Sequence, residues 1–115
     1  MTFNFPPNRP IPPERVQTLV KQIADKVWQD FGTDVQVIWF GSWVKGNARP
    51  NSDIDLAIAS LQPIQPRDFA MLRDWVENLP TLYSFDLINL NEASPSLASE
   101  IKENGIKIKP IATTR

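Results

Sequence analysis

The segment GSWVKGNARPNSDIDLAI, residues 41–58, combines a Gly-Ser pair with a strand in which aspartates alternate with apolar residues. Successive side chains of a strand point to opposite faces of a sheet, so Asp53 and Asp55 share one face, with Cα atoms about 6.6 Å apart. The isoleucines and the leucine of this strand occupy the other face. Two carboxylates this close repel each other, so the pattern predicts that a cation binds there.

A second strand precedes this segment. Residues 34–40, DVQVIWF, are rich in β-branched and aromatic residues and end at Gly41-Ser42, which predicts a strand running into a turn and then a short helix opened by Ser42. Backbone N–H groups and a hydroxyl at such a turn can bind a triphosphate, and Gly41 lets the backbone approach it closely. Lys45 and Arg49 follow and would neutralise phosphate oxygens, although solvated surface is the simpler interpretation of both.

Divalent metal ions would relieve the repulsion between the aspartates. Mg²⁺ binds carboxylates together with substrate phosphates, and two ions about 3.5–4 Å apart hold the attacking and leaving oxygens in phosphoryl transfer. Asp86, in the apolar run 82–90, adds a third carboxylate if its strand lies beside that of Asp53 and Asp55. Simpler interpretations stay open: a solvated strand edge for the first two aspartates, a turn cap for Asp86 and a helix cap for Ser42.

The rest of the chain alternates helices with strands. Apolar spacings of three and four predict helices over residues 14–31, around 69–79 and over 95–104, followed by a short strand at 106–108. Together with the three strands described above, this order predicts an α/β (α+β) fold with a small mixed sheet and helices packed mainly on one face.

The ends of the chain differ from this pattern. Five of the 11 prolines fall within residues 1–13, which predicts an extended arm ahead of a domain at 14–109 and a tail at 110–115. A disordered terminus is the simplest interpretation of the arm, with docking of a partner through Phe3 and Phe5 as the alternative.

The four tryptophans invite a base-stacking interpretation. Trp28 and Trp75 lie in predicted helices and Trp39 in a predicted strand, so packing in the core or at an interface is the better interpretation of these three. Trp43, next to the Gly-Ser turn, is a candidate wall of a nucleotide pocket.

Composition excludes several kinds of chemistry. The 115 residues include no Cys and no His, so catalysis has no thiolate or imidazole and must use carboxylates, hydroxyls, Lys and Arg. The absence of cysteine favours a cytoplasmic location, and no stretch is apolar enough to span a membrane. The 12 Lys and Arg nearly balance the 13 Asp and Glu, so the overall charge does not predict direct nucleic-acid binding.

The spacing of the polar residues carries a family resemblance. Gly41-Ser42, ten further residues and then Asp53-Ile-Asp55 resemble the Gly-Ser-x10-Asp-x-Asp signature of the polymerase-β-like nucleotidyltransferase superfamily. An Asp-x-Asp alone is common by chance, but the fixed distance to Gly-Ser makes the combination specific. The whole run is most similar to the minimal nucleotidyltransferases (MNT) of prokaryotes, which include antitoxins paired with HEPN-domain toxins.

The resemblance implies a reaction and a site. In that family, two Mg²⁺ ions are held by aspartates that correspond to Asp53, Asp55 and Asp86, and the Gly-Ser pair that corresponds to Gly41 and Ser42 contacts the triphosphate. It further implies transfer of AMP from ATP to a hydroxyl, which for the antitoxin branch belongs to a tyrosine of the HEPN toxin. Asp86 is then also the candidate general base for that hydroxyl.

Two other functions stay open from the sequence. One is an antitoxin that acts by binding alone, with an idle nucleotide site; the other is a nucleotidyltransferase that modifies a small molecule such as an aminoglycoside. The shortness of the chain favours a protein acceptor, because no further domain is expected to hold a small molecule. A homo-oligomer is compatible with the sequence as well.

Overall fold

The computed structural model describes residues 3 and 5–110, so the residues of the predicted tail after Pro110 lie outside the described part. Four helices and four strands follow one another with a short 3₁₀ helix, Leu90–Glu92, before the last helix. The helices are α1 (Glu14–Phe31), α2 (Ser42–Lys45), α3 (Pro66–Glu77) and α4 (Pro95–Asn104), and the strands are β1 (Gln36–Phe40), β2 (Ile54–Ala59), β3 (Phe85–Asn89) and β4 (Ile106–Ile108).

The four strands form one mixed sheet in the order β3-β2-β1-β4. The central strand β1 pairs antiparallel with both β2 and β4, whereas β2 and β3 run parallel. Parallel neighbours need a crossover connection, and α3 supplies it. The prediction of a small mixed sheet is confirmed.

Helices cover both faces of the sheet unequally. The larger core lies between the sheet and the two long helices, α1 and α3, and includes Trp39, Ile54, Leu56 and Ile58. On the opposite face α4 and the 3₁₀ helix cover a smaller cluster of Ile38, Ala57, Leu90 and Ile101. Helices therefore pack mainly on one face, as predicted, and the strand alternation places Asp55 on the face of the smaller cluster. Among the described helices, none is both long and apolar enough to cross a membrane.

The proline-rich arm packs on the domain. The rings of Phe3 and Phe5 lie 5.4 and 5.7 Å from that of Trp39, a fully buried residue of β1, in edge-to-face arrangements. Further along, Arg9 donates a hydrogen bond from Nη1 to the carbonyl of Val44 at 3.3 Å. The interpretation of residues 3 and 5–13 as a disordered terminus is therefore wrong. Prolines prevent helix and sheet pairing, but they do not prevent aromatic side chains between them from packing.

Replacing Phe5 with alanine is expected to lower the free energy of unfolding by about 1–2 kcal/mol, because a half-buried aromatic side chain loses its contact with the core. Urea denaturation followed by tryptophan fluorescence measures the change. Leu82→Ala is the matched control, since Leu82 is fully exposed. Equal effects of the two substitutions would show that the arm contributes nothing to stability.

Candidate nucleotide and metal site

The sheet register brings two of the predicted aspartates side by side. Asp55 of β2 is paired with Phe40, the last residue of β1, on one side and with Asp86 of β3 on the other. Adjacent strands lie about 4.8 Å apart, so Asp55 and Asp86 project from neighbouring positions on one face of the sheet. Asp53 stands just before β2, two residues from Asp55. Asp55 is half-buried, whereas the other two are exposed.

Burial and neighbouring negative charges raise the pKa of the central carboxyl, Asp55. The pKa of Asp55 is raised from 3.8 to about 6, first by its burial and then by the charges of Asp86 and Asp53, while Lys45 acts in the opposite direction. A carboxyl with these neighbours is costly to ionise unless a cation compensates the charge. The repulsion inferred from the strand alternation is therefore present in the folded protein, with Asp86 as a further contributor.

Gly41 is the residue of the Gly-Ser turn that lies against the Asp55 carboxylate. Its backbone angles, φ 86° and ψ −162°, belong to a region that is essentially restricted to glycine. A Cβ at this position would collide with Oδ2 of Asp55 and lie 2.9 Å from its Cγ. The turn that was predicted to hold a triphosphate thus abuts the predicted metal ligand.

The short helix α2 begins at Ser42 itself, so Ser42 does not open it as a cap. Gly41 is the capping residue, and its carbonyl accepts hydrogen bonds from the N–H groups of Val44 and Lys45 at 3.2 and 3.0 Å. Ser42 is the first helical residue, and no side chain of the described residues caps this helix. The helix-cap interpretation of Ser42 is wrong, and its hydroxyl is not used for capping.

The two predicted cationic residues occupy different surroundings. Lys45 lies near enough to the carboxylates to lower the pKa of Asp55, and its Nζ is 3.9 Å from Oε2 of Glu100 on α4. Arg49 is exposed in the connection from α2 to β2, where its backbone N–H donates to Oγ of Ser52 at 2.7 Å. Within the described residues its guanidinium forms no ion pair. The structure brings Lys45 to the site, whereas Arg49 is exposed in the connecting segment.

Trp43 makes contacts that stabilise the connection between the Gly41-Ser42 turn and Asp53. Its indole N–H donates to the carbonyl of Ser52 at 3.1 Å, and its ring meets that of Tyr83 edge-on at 6.2 Å. Trp43 is buried in the larger core, so the structure gives it a packing role where the sequence suggested a pocket wall. Trp28 and Trp39 are also buried, as predicted, whereas Trp75 is 36% exposed. Sequence reasoning missed the Trp43–Ser52 bond, because nothing local marks a hydrogen bond across nine residues.

A family comparison agrees with this geometry. The family model described as polymerase beta, nucleotidyltransferase, matches residues 21–111. The chain belongs to this nucleotidyltransferase family. The match begins within α1, so the proline-rich arm lies outside it.

A solved structure shares the fold of this nucleotidyltransferase. It is a chain of the toxin–antitoxin MntA–HpeT crystal structure, in a mutant in which two aspartates two positions apart are changed to glutamate. The TM-score is 0.63 at 17% sequence identity, with 80% of this chain and 74% of that chain covered. No curated protein matches the chain. At this level of identity the structural similarity establishes the fold.

The donor set of the candidate site fits a hard divalent cation. Carboxylate oxygens are the ligands Mg²⁺ prefers, and the pKa of Asp55 is raised first by burial and then by the charges of Asp86 and Asp53. Within the described residues, as their side chains stand, no three acidic, Cys or His groups converge closely enough to hold an ion by themselves.

Replacing Asp55 with asparagine is expected to stabilise the metal-free protein at pH 7.5 by about 1 kcal/mol, a value reduced for partial exposure. The pKa of Asp55 is raised to about 6, so the folded chain holds this proton more tightly than the unfolded chain. Its contribution to the free energy of unfolding therefore falls as the pH rises from about 4 to 6, and the deficit is complete above that window. Wild type and variant should be equally stable near pH 4 and diverge above it.

Denaturation in EDTA at several pH values measures this difference, with Asp25→Asn on the exposed face of α1 as the control. Added Mg²⁺ should then stabilise the wild type, because a ligand of the folded state shifts the equilibrium, but should not stabilise the Asp55 variant. A variant that is less stable than the wild type at pH 7.5 would show that the crowding of charge is not costly.

Proposed function

We propose that this chain is a Mg²⁺-dependent nucleotidyltransferase that transfers AMP from ATP to a tyrosine hydroxyl of a partner HEPN-domain toxin. The observation that carries the proposal is the contact between the Gly41 turn and Asp55, with Asp86 in register beside it. A triphosphate-binding turn and a set of carboxylates at one end of a sheet are what an adenylyl transfer requires. Family membership supports the general reaction.

Each residue has a distinct role in this proposal. The turn at Gly41 and Ser42 holds the triphosphate through backbone N–H groups and a hydroxyl, and Lys45 adds positive charge nearby. Asp53, Asp55 and Asp86 would hold two Mg²⁺ ions, which supply electrostatic stabilisation of the charge that develops on the phosphate oxygens. Positioning and charge compensation, rather than covalent catalysis, provide the rate enhancement.

The reaction balances without any further reactant. The tyrosine oxygen forms a bond to the α-phosphorus of ATP, and the bond from that phosphorus to the bridging oxygen of the β-phosphate breaks, releasing pyrophosphate. Asp86 is exposed and lies on the edge strand β3, so it is the group to accept the phenolic proton before the proton passes to solvent.

The choice of partner rests on two supports. The sequence resembles the antitoxin branch of the minimal nucleotidyltransferases, and the fold is similar to that of a chain from a toxin–antitoxin structure. That structure carries changes at two aspartates with the same spacing as Asp53 and Asp55. The partner is therefore sought as the product of an adjacent gene.

Transfer of label tests the proposal. The protein is incubated with ATP labelled at the α-phosphate, Mg²⁺ and the HEPN protein encoded beside it, and the labelled protein is located by gel and mass spectrometry. We expect label on a tyrosine of the HEPN protein and none with the Asp53→Ala/Asp55→Ala variant. If no label is transferred and the double variant still neutralises the toxin, the chain acts by binding alone.

A further inference from the structure

A cleft runs along the outer edge of the sheet next to Asp86. It has a volume of about 500 Å³ and lies between β3, α3 and α4. Its lining includes Phe69, Arg73, Asp86, Leu87, Glu92 and Leu97. The Gly41 turn is not among the residues that line it, so the cleft is separate from the proposed triphosphate site although both reach the carboxylates.

The residues that line the cleft are partly apolar and partly charged. Phe69 and Leu87 are buried apolar residues, and Leu97 is 38% exposed on α4 although it is apolar. Asp86 and Glu92 are acidic residues of the same lining. A phenol has this distribution of properties, with an apolar ring and a polar tip, whereas a ribose or an aminosugar presents polar groups on all sides.

Arg73 limits which kind of ligand can bind in the cleft. The Ile54 N–H donates to the Ser84 carbonyl at 2.9 Å, and because alternate residues of a parallel strand face the neighbour, the Leu87 carbonyl points to the outer edge. Arg73 donates from Nη2 to that carbonyl at 3.2 Å and stacks 4.8 Å from the ring of Phe69. Adding a peptide strand to β3 would break this bond, so the cleft favours a single inserted side chain.

From these observations we infer that the cleft between α3, β3 and α4 receives the tyrosine side chain of the acceptor protein and directs its hydroxyl to Asp86, with Leu97 as a specificity-determining contact. This inference rests on the proposed function, because it names the place where that acceptor binds. Leu97 is separate from the nucleotide turn, so its contact affects the acceptor and not ATP.

Leu97→Asp tests the inference, with Met71→Asp as the matched control. Met71 is 63% exposed and apolar on α3 but does not line the cleft. Leu97 is the third residue of α4, where an aspartate is favourable to the helix, so the variant should fold. Steady-state AMP transfer to the HEPN protein should show an acceptor KM raised at least about 10-fold in Leu97→Asp, with the KM for ATP unchanged. Leu97→Met should restore the wild-type acceptor KM, and Met71→Asp should stay within about twofold of it.

The outcomes separate this inference from the proposed function. If the wild type transfers AMP but Leu97→Asp and Met71→Asp have the same acceptor KM, the assignment of the cleft is overturned and the reaction stands. A HEPN protein with serine in place of the modified tyrosine should lose at least about 100-fold in kcat/KM, because the apolar walls have no ring to contact; equal transfer to serine also overturns the inference. If the wild type transfers no AMP to the HEPN protein, the proposed function and the assignment of the cleft are both overturned.

Discussion

Replacing Asp55 with asparagine is expected to lower the rate of AMP transfer by about 1,000-fold, although the same change stabilises the metal-free protein. Loss of one carboxylate between Asp53 and Asp86 removes several kcal/mol of charge stabilisation, and about 4 kcal/mol corresponds to that factor. Asparagine retains the shape of the side chain but not its charge. The rate of pyrophosphate release with saturating ATP and HEPN protein measures the effect.

Two comparisons make this result specific. Asp25→Asn changes the net charge equally but lies on the exposed face of α1, so its rate should match the wild type within about twofold. Binding of the HEPN protein by Asp55→Asn should be retained, because the fold is intact. If Asp55→Asn retains more than a tenth of the wild-type transfer rate, Asp55 is not the essential carboxylate.

The carboxylate cluster was only partly predictable from the sequence. The alternation of β2 requires Asp53 and Asp55 to share a face, since the period of a strand is fixed. That Asp86 stands directly beside Asp55 depends on which strands become neighbours and in which register. Which strands become neighbours is decided by the tertiary fold and cannot be read from the local sequence of either strand. The raised pKa of Asp55 could therefore be anticipated in sign but not assigned to its causes.

Predicted and observed elements differ mainly at their ends. The strand predicted over residues 82–90 begins at Phe85, and residues 82–84 form the connection that leads to it. The helix around 69–79 begins earlier, at Pro66, where proline suits the first turn of a helix. In α4, by contrast, Ser94 caps the start by accepting from the Leu97 N–H, and both helix ends are as predicted.

Contacts between distant segments account for what the sequence did not reveal. Arg9 reaches Val44 and Arg73 reaches Leu87, each through a side chain that bonds a backbone carbonyl. Neither residue type nor spacing signals such a bond, because any arginine on the surface has the same local appearance. These bonds lie around the candidate site. The surroundings of the site were therefore harder to predict than the positions of its carboxylates.

Gly41→Ala is expected to lower the rate of AMP transfer at least about 100-fold, through two separate effects. The backbone conformation of Gly41 is one that only glycine adopts readily, which costs roughly 1–3 kcal/mol for alanine. The added methyl group would also displace the Asp55 carboxylate that it meets, and displacements of this kind in an active site reduce rates by about that factor. Transfer rates and urea denaturation are measured on the same preparation.

Gly32→Ala separates strain from displacement, because Gly32 ends α1 with φ 101° and ψ 156° and a Cβ there would meet only the flexible side chain of Asp34. It should destabilise the fold by a similar 1–3 kcal/mol and leave the rate of transfer nearly unchanged. A double-mutant cycle with Asp55→Ala then isolates the collision, since Gly41→Ala should cost less stability once the carboxylate is removed. If Gly41→Ala costs the same in both backgrounds, the turn and the carboxylate are not in contact, and the observation that carries the proposed function is lost.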